Sequence, residues 1–322
     1  MFVEHPTRRQ FLRSIAASGI GASLLMSGRQ PARGADAEKL EIIDVHTHFY
    51  DPTRPGGVPW PGKDDKVLYR PVLPDEFRKL TEPLGVVGTV VVEASNVVED
   101  NQWLLDLAAK NPPLLGIVGH LTPGEADFPK QLARFAANPL YRGIRISSGL
   151  LKAGLNQPLF LNHLRIFAER GLALDVNGGP ELLPLVLDLA QTLPEMQVVV
   201  NHLSNVRIDG KAPPAEWRKG MEGLAKFPRV ACKVSALVES ASRDGKPSPS
   251  DPAYYAPTID VAWQSFGADR LLFGSNWPVS ARAGDYATLL RIVQAYFQDK
   301  EPVAQKKFFA GNARMIYGLK AS

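Results

Sequence analysis

From residue 40 onward, short β-branched runs alternate with longer stretches whose apolar residues recur at helical spacing. The short runs are Leu40–Val45, Gly88–Glu93, Leu115–His120, Gly143–Ser147, Leu172–Asn177, Val198–His202, Val230–Ser235 and Leu271–Ser275. Between them lie helix-like segments such as Gln102–Lys110, Gln131–Ala137, Leu161–Arg170, Glu181–Gln191 and Ala215–Lys226. Strands that alternate with helices predict a parallel sheet. Eight such units without a long polar linker predict closure into a single (β/α)8 barrel, an α/β fold, rather than an open sheet. Pro302–Gly318 reads as a closing helix packed through Phe308, Phe309, Met315 and Tyr317. Two insertions, Tyr50–Pro74 with Trp60 and Tyr69, and Glu239–Pro257, come after the first and seventh strands. Both fall on the face where barrel active sites are built.

Polar residues interrupt the strands mainly near their C-terminal ends. Side chains alternate along a strand, so Asp44, His46 and His48 are expected on one face, with Ile43 and Val45 turned toward the helices. The second and third strands end in Glu93 and His120. The fourth carries Arg145 and Ser147, the fifth Asp175 and Asn177, and the sixth ends in His202. The seventh carries Lys233 and Ser235, and the eighth runs into Asn276. Burying this many polar groups is costly unless they pair or bind something, which predicts a polar pocket at the barrel mouth. For Asp44, Glu93 and Asp175 the sequence leaves open a structural role as partners of Arg145 or Lys233. His163 is expected on a helix surface, and Cys232, opposite in parity to Lys233, against the helices.

Charge adds a separate signal. The chain has a formal net charge of +4, but five arginines against Glu4 and Asp36 place a net +3 within residues 1–37, leaving the remainder near +1. A near-neutral body gives no electrostatic reason to expect nucleic acid. Thr7-Arg8-Arg9-Gln10-Phe11-Leu12-Arg13, the mild apolar run Ser14–Met26 and Ala35-Asp36-Ala37 match a twin-arginine signal peptide. The predicted division is therefore a signal over residues 1–37 and a barrel domain over 38–322. The expected partner is the twin-arginine export machinery, and the expected location periplasmic or secreted. No run approaches the roughly 20 residues of a membrane span, so stable membrane insertion is not expected. One cysteine excludes an internal disulfide, consistent with folding before export.

Ile43-Asp44-Val45-His46-Thr47-His48-Phe49 resembles the opening strand of the amidohydrolase superfamily, in its amidohydrolase-related branch. Gly143-Ile144-Arg145, Val200-Asn201-His202-Leu203 and Cys232-Lys233-Val234-Ser235 resemble that branch's fourth, sixth and seventh strands. Asp269-Arg270-Leu271-Leu272-Phe273-Gly274-Ser275-Asn276-Trp277-Pro278-Val279 resembles the eighth, and Gly311–Gly318 the C-terminal helix. The likeness spans about Leu40 to Leu319. It implies a metal-dependent-hydrolase-like TIM barrel acting on a lactone or related cyclic ester of a sugar acid or aromatic breakdown product. By resemblance, His46, His48 and His202 polarise the carbonyl or, with a divalent metal such as zinc, hold it. Arg145 and Lys233 clamp the small-molecule substrate, with His120 and Asn177 lining its site. The family has Asp on strand eight where this chain has Asn276. An amide takes up no proton and ligates zinc poorly, so the base passes to His202 or Glu93, with Asn276 orienting the water. A metal is then either not required or a zinc-like ion. A non-catalytic periplasmic sugar-acid-binding barrel and a metal-dependent decarboxylase are the alternatives, and a homodimer is compatible with the resemblance.

Overall fold

The computed structural model describes residues 40–242 and 246–320, so the expected signal over residues 1–37 lies outside the described residues. Eight strands form one sheet in sequence order: β1 (Ile42–Thr47), β2 (Val86–Val92), β3 (Leu114–Gly119), β4 (Tyr141–Ser147), β5 (Ala173–Asn177), β6 (Gln197–Val200), β7 (Val230–Val234) and β8 (Leu271–Phe273). Every neighbouring pair is parallel. The ends of β1 and β8 meet through a parallel bridge between Thr47 and Trp277, where His48 N donates to Trp277 O and Asn276 N to His46 O. This closes the predicted (β/α)8 barrel. Helices over Asp100–Ala109, Phe128–Ala136, Pro158–Ala168, Leu182–Thr192 and Ala215–Leu224 lie within a few residues of their expected bounds. None of the helices among the described residues is long and apolar enough to cross a membrane.

Strand alternation divides the apolar residues into two cores. Ile144, Ile146, Leu174, Val176, Val198, Val200, Val230, Cys232 and Val234 pack into the large shell beneath the helices. Val90, Val92, Val118, Ala173, Val199, Ala231 and Leu272 fill the barrel interior. Contrary to the alternation expected for β1, Ile43 and Val45 belong to that interior and Asp44 turns outward, where it accepts from Tyr286 Oη at 3.0 Å. The register between β1 and β2 shifts between Asp44 and Thr47. A bulge of this kind inserts one residue and re-aims the side chains beyond it, so Val45 and His46 both face inward. Asp44 Oδ1 anchors the bulge by accepting from His46 N at 3.0 Å and Ser275 N at 2.9 Å.

The end of the barrel opposite the strand C-termini is filled from the chain's last turns. Ala310, Ala313, Ile316, Tyr317 and Leu319 join the interior core. The segment is a helix over Pro302–Lys306, a wider turn over Lys307–Gly311 and a helix over Asn312–Ile316. Phe308 and Phe309 pack as expected, whereas Met315 is 65% exposed because the faces alternate through the widened turn. His163 is also buried, stacked on Phe128 at 4.9 Å and accepting from Gly124 N at 3.0 Å. The loop between β3 and its helix folds back over it, which a helix-surface reading could not foresee.

Candidate active site

Three strand ends turn sharply at the mouth. His202, Leu203, Ser204 and Asn205 hold φ of 56°, 51°, 54° and 44°, Ala236 52° and Asn276 59°. Left-handed backbone costs residues with a Cβ roughly 1–2 kcal/mol each, and such strain concentrates where function requires it. These turns carry the His202 and Asn276 side chains, together with Ala236, to a cavity of about 440 Å³. Trp60 from the first insertion, Glu239 from the helix Leu237–Ala241, and Arg145, Asn177 and Asn205 complete its lining.

Beneath the cavity, a buried ammonium organises the imidazoles. Lys233 Nζ donates to Val45 O at 2.8 Å and Asp175 Oδ2 at 2.5 Å, and lies 3.3 Å from His46 Nδ1. An ammonium has three donors and no acceptor, so this geometry uses all three and makes His46 Nδ1 the acceptor. The proton of neutral His46 then sits on Nε2, a buried atom with no partner among the described residues. Gly274 leaves room for this ring: a Cβ there would come within 2.9 Å of His46 Cβ. Asp175 Oδ1 accepts from Tyr317 Oη at 2.8 Å, so the C-terminal segment completes the network.

The His46 ring lies 4.3 Å from that of His202 and 5.0 Å from that of His48. His202 Nδ1 pairs with Ser235 Oγ at 2.8 Å. His48 Nδ1 donates to Val92 O at 3.0 Å. The Asn276 amide bridges His48 Nε2, at 3.2 Å, and Glu239 Oε1, at 2.8 Å. Burial, followed by the nearby Arg145 charge, pushes the His48 ring down to about 3. Burial also holds His46 and His202 well below the ordinary imidazole range, reinforced at His46 by His202 and Lys233 and at His202 by Lys233 and Arg145. All three rings are therefore neutral at physiological pH. Glu239 moves the other way: burial raises its carboxyl to about 7.

The residues expected at the mouth divide into two groups. His48, His202, Asn276, Arg145 and Asn177 line the cavity, with His46 directly beneath. Lys233 does not reach it: the side chain is fully buried and committed to Asp175, Val45 and His46, so it cannot clamp a substrate. Glu93 is not placed as a base either. Its Oε1 accepts from Arg145 Nε and its carbonyl from Arg145 Nη2, both at 2.8 Å, as the Arg145 side chain reaches from β4 past β3 to the end of β2. His120 lies apart, its backbone pinned on both sides by Asn101. Glu239 was not foreseen as a site residue. It stands at the start of the second insertion, and only its position immediately after a strand end could have drawn attention to it.

The family model described as Amidohydrolase matches residues 43–319. A protein named L-fucono-1,5-lactonase from Burkholderia ambifaria is 32% identical, covering 86% of this chain and 95% of its own. One of the same name from Burkholderia multivorans is 27% identical over 86% and 96%. Among solved structures, an amidohydrolase from Burkholderia multivorans with bound HEPES superposes with a TM-score of 0.79 at 25% identity, covering 87% of this chain and 99% of its own. A second crystal form of that protein, also 25% identical, holds zinc.

The residues here do not fit a tightly held divalent ion. Zinc requires imidazole nitrogens with free lone pairs and is helped by anionic ligands. Lys233 fixes His46 with its proton on Nε2, and no carboxylate stands among the three rings. The fixed charges acting on them, Lys233 and Arg145, are positive. Among the described residues, no group of three or more His, Cys, Asp or Glu is arranged to hold a metal.

Proposed function

The chain belongs to the amidohydrolase family, and from that premise we propose that it hydrolyses an uncharged lactone of a sugar acid to the open-chain acid. The observation that carries this reading is the charge state of the cavity. Arg145 is paired with Glu93, and Lys233 beneath the floor with Asp175. An anionic substrate would meet no uncommitted cation among the described residues here. A polyhydroxylated ring, in contrast, meets donors and acceptors on every side. Asn205 Nδ2 is spent on Asn177 Oδ1 and Gly178 O, leaving Asn177 Nδ2 and Asn205 Oδ1 for hydroxyls. The Trp60 indole, 6.0 Å from the His48 ring, offers an apolar face to the C–H side of a sugar ring. The uncommitted N–H groups of Arg145 and the Nε2–H of His46 supply hydrogen bonds to the lactone carbonyl, whose oxygen gains charge as water attacks.

Two measurements test this. L-Fucono-1,5-lactone should be turned over at least about 100-fold more efficiently than 2-pyrone-4,6-dicarboxylate, because desolvating two carboxylates without a free cation costs several kcal/mol. Equal kcat/KM for the two would remove the charge argument. Dialysis against a chelator should leave turnover within about twofold, as expected where the imidazoles act as hydrogen-bond donors and not as zinc ligands. Loss of activity restored by zinc would reverse that. The export proposal rests on Thr7–Arg13 and Ala35–Ala37. It is tested by fusing residues 1–37 to a reporter in cells with and without the twin-arginine translocase.

A further inference from the structure

Hydrolysis needs a group that takes a proton from water, and the family's strand-eight carboxylate is Asn276 in this chain. We infer that Glu239 is the general base of this cavity, linked through the Asn276 amide to His48. The inference rests on the lactonase reading for its reaction, and on the geometry for its residue.

Glu239 lines the cavity, and its Oε2 is buried with no partner among the described residues, while Oε1 contacts Asn276 Nδ2 at 2.8 Å. An unsatisfied buried carboxylate oxygen is rare and costly unless it has a role. The other acids near the mouth are committed. Glu93 holds Arg145, Asp175 holds Lys233 and Tyr317, and Asp44 faces the helix side with bonds from Ser275, His46 and Tyr286. The three imidazoles have lost basicity through burial and neighbouring charge, so a proton leaving water finds no better acceptor there.

Proton counting at Asn276 points the same way. His48 Nδ1 carries its proton toward Val92 O, so a neutral ring presents a lone pair at Nε2. As placed, Asn276 Oδ1 lies 3.2 Å from that Nε2 and Nδ2 donates to Glu239 Oε1 at 2.8 Å, the orientation that suits an ionised Glu239 and leaves the His48 lone pair without a donor. When Glu239 is ionised, the NH2 belongs on the carboxylate side. The reversed orientation would match His48 and needs a protonated carboxyl, so the favoured orientation of the amide follows the charge of Glu239. An Asp at this position could not make that exchange without itself titrating. The other charged or titratable groups acting on Glu239 are Arg282, whose charge lowers its pKa, and Tyr255. Burial outweighs them and places the carboxyl near neutrality, where a base is most effective.

In the step, the oxygen of water bonds to the lactone carbonyl carbon as its π pair moves onto the carbonyl oxygen. Glu239 Oε2 takes the proton from that water. The tetrahedral centre then collapses, the bond to the ring oxygen breaks, and the ring oxygen receives the proton back from Glu239. The product acid ionises to solvent.

The test compares the full chain with its Glu239→Gln and Glu239→Ala forms. On L-fucono-1,5-lactone, Glu239→Gln should lower kcat by about 10²–10⁴ with KM nearly unchanged, and abolish the rise of kcat/KM with pH near neutrality. Added formate should restore part of the rate to Glu239→Ala. A parent-like rate in Glu239→Gln overturns the assignment. So does a loss that keeps the rising limb and ignores formate, since that marks a structural role. Infrared spectra across the same pH range supply a reading independent of turnover. A protonated-carboxyl band that titrates near neutrality in the parent and is missing in Glu239→Gln is expected. If the parent turns over no lactone, the lactonase reading fails on its own. The Glu239 assignment then stands or falls with that band.

Discussion

Lys233→Met should unfold in denaturant with about 3–5 kcal/mol less stability than the parent, the largest stability effect expected from a single change in this chain. The ammonium and Asp175 are both fully buried and 2.5 Å apart. Removing the cation leaves a carboxylate inside the barrel with, among the described residues, only the Tyr317 hydroxyl donating to it. Methionine matches the length of the stem, so the loss reports charge and hydrogen bonding more than volume. Adding Asp175→Asn to the same chain should recover much of the stability, because the stranded charge is gone. The single variant should also bind substrate less well oriented toward His46, whose proton position depends on the ammonium. An unchanged denaturation midpoint, with unchanged slope, would mean that the pair contributes nothing net.

His202→Asn should lose about 10²–10³ in kcat on a sugar lactone while folding normally. His202 stands at the end of β6 with φ of 56°, a backbone that asparagine tolerates better than other side chains, so the substitution separates chemistry from folding. The imidazole lines the cavity, with its ring tilted 52° to that of His46 at 4.3 Å, close to the His46 Nε2 proposed to meet the lactone carbonyl. His202→Val serves as the contrast. A β-branched residue at positive φ should lower stability by roughly 1–2 kcal/mol, beyond any effect on rate. Full activity in a folded His202→Asn protein would remove the ring from the reaction.

Much of the barrel was legible because alternating strands and helices are written in local hydrophobic period. The polar strand ends marked the right face of the molecule, since burying charge demands a reason. What failed was non-local. The β1 bulge moved Asp44 to the helix side and Val45 inward, and no residue in Ile42–Thr47 announces an inserted position. Lys233 and Arg145 looked alike as strand-end cations, yet one is fully buried and the other lines the cavity, a difference set by depth along the strand and by what sits below. Glu239 belongs to a short helix after β7 whose place at the rim depends on contacts with Asn276, more than thirty residues away in sequence. His163 was misplaced for the same reason, since the loop that covers it comes from β3.

The plug formed by Ala310, Ala313, Ile316, Tyr317 and Leu319 bears on the order in which the protein can be made. During synthesis, β1 through β8 leave the ribosome before the residues that fill the barrel's lower end and hold Asp175 through Tyr317. A nascent chain that has emitted every strand therefore still has an open, partly polar interior, and its parallel pairings are of the slow, non-local kind. The barrel is expected to mature as one event once these turns have emerged instead of growing strand by strand, and a stalled chain lacking them is the form most exposed to chaperones and proteases.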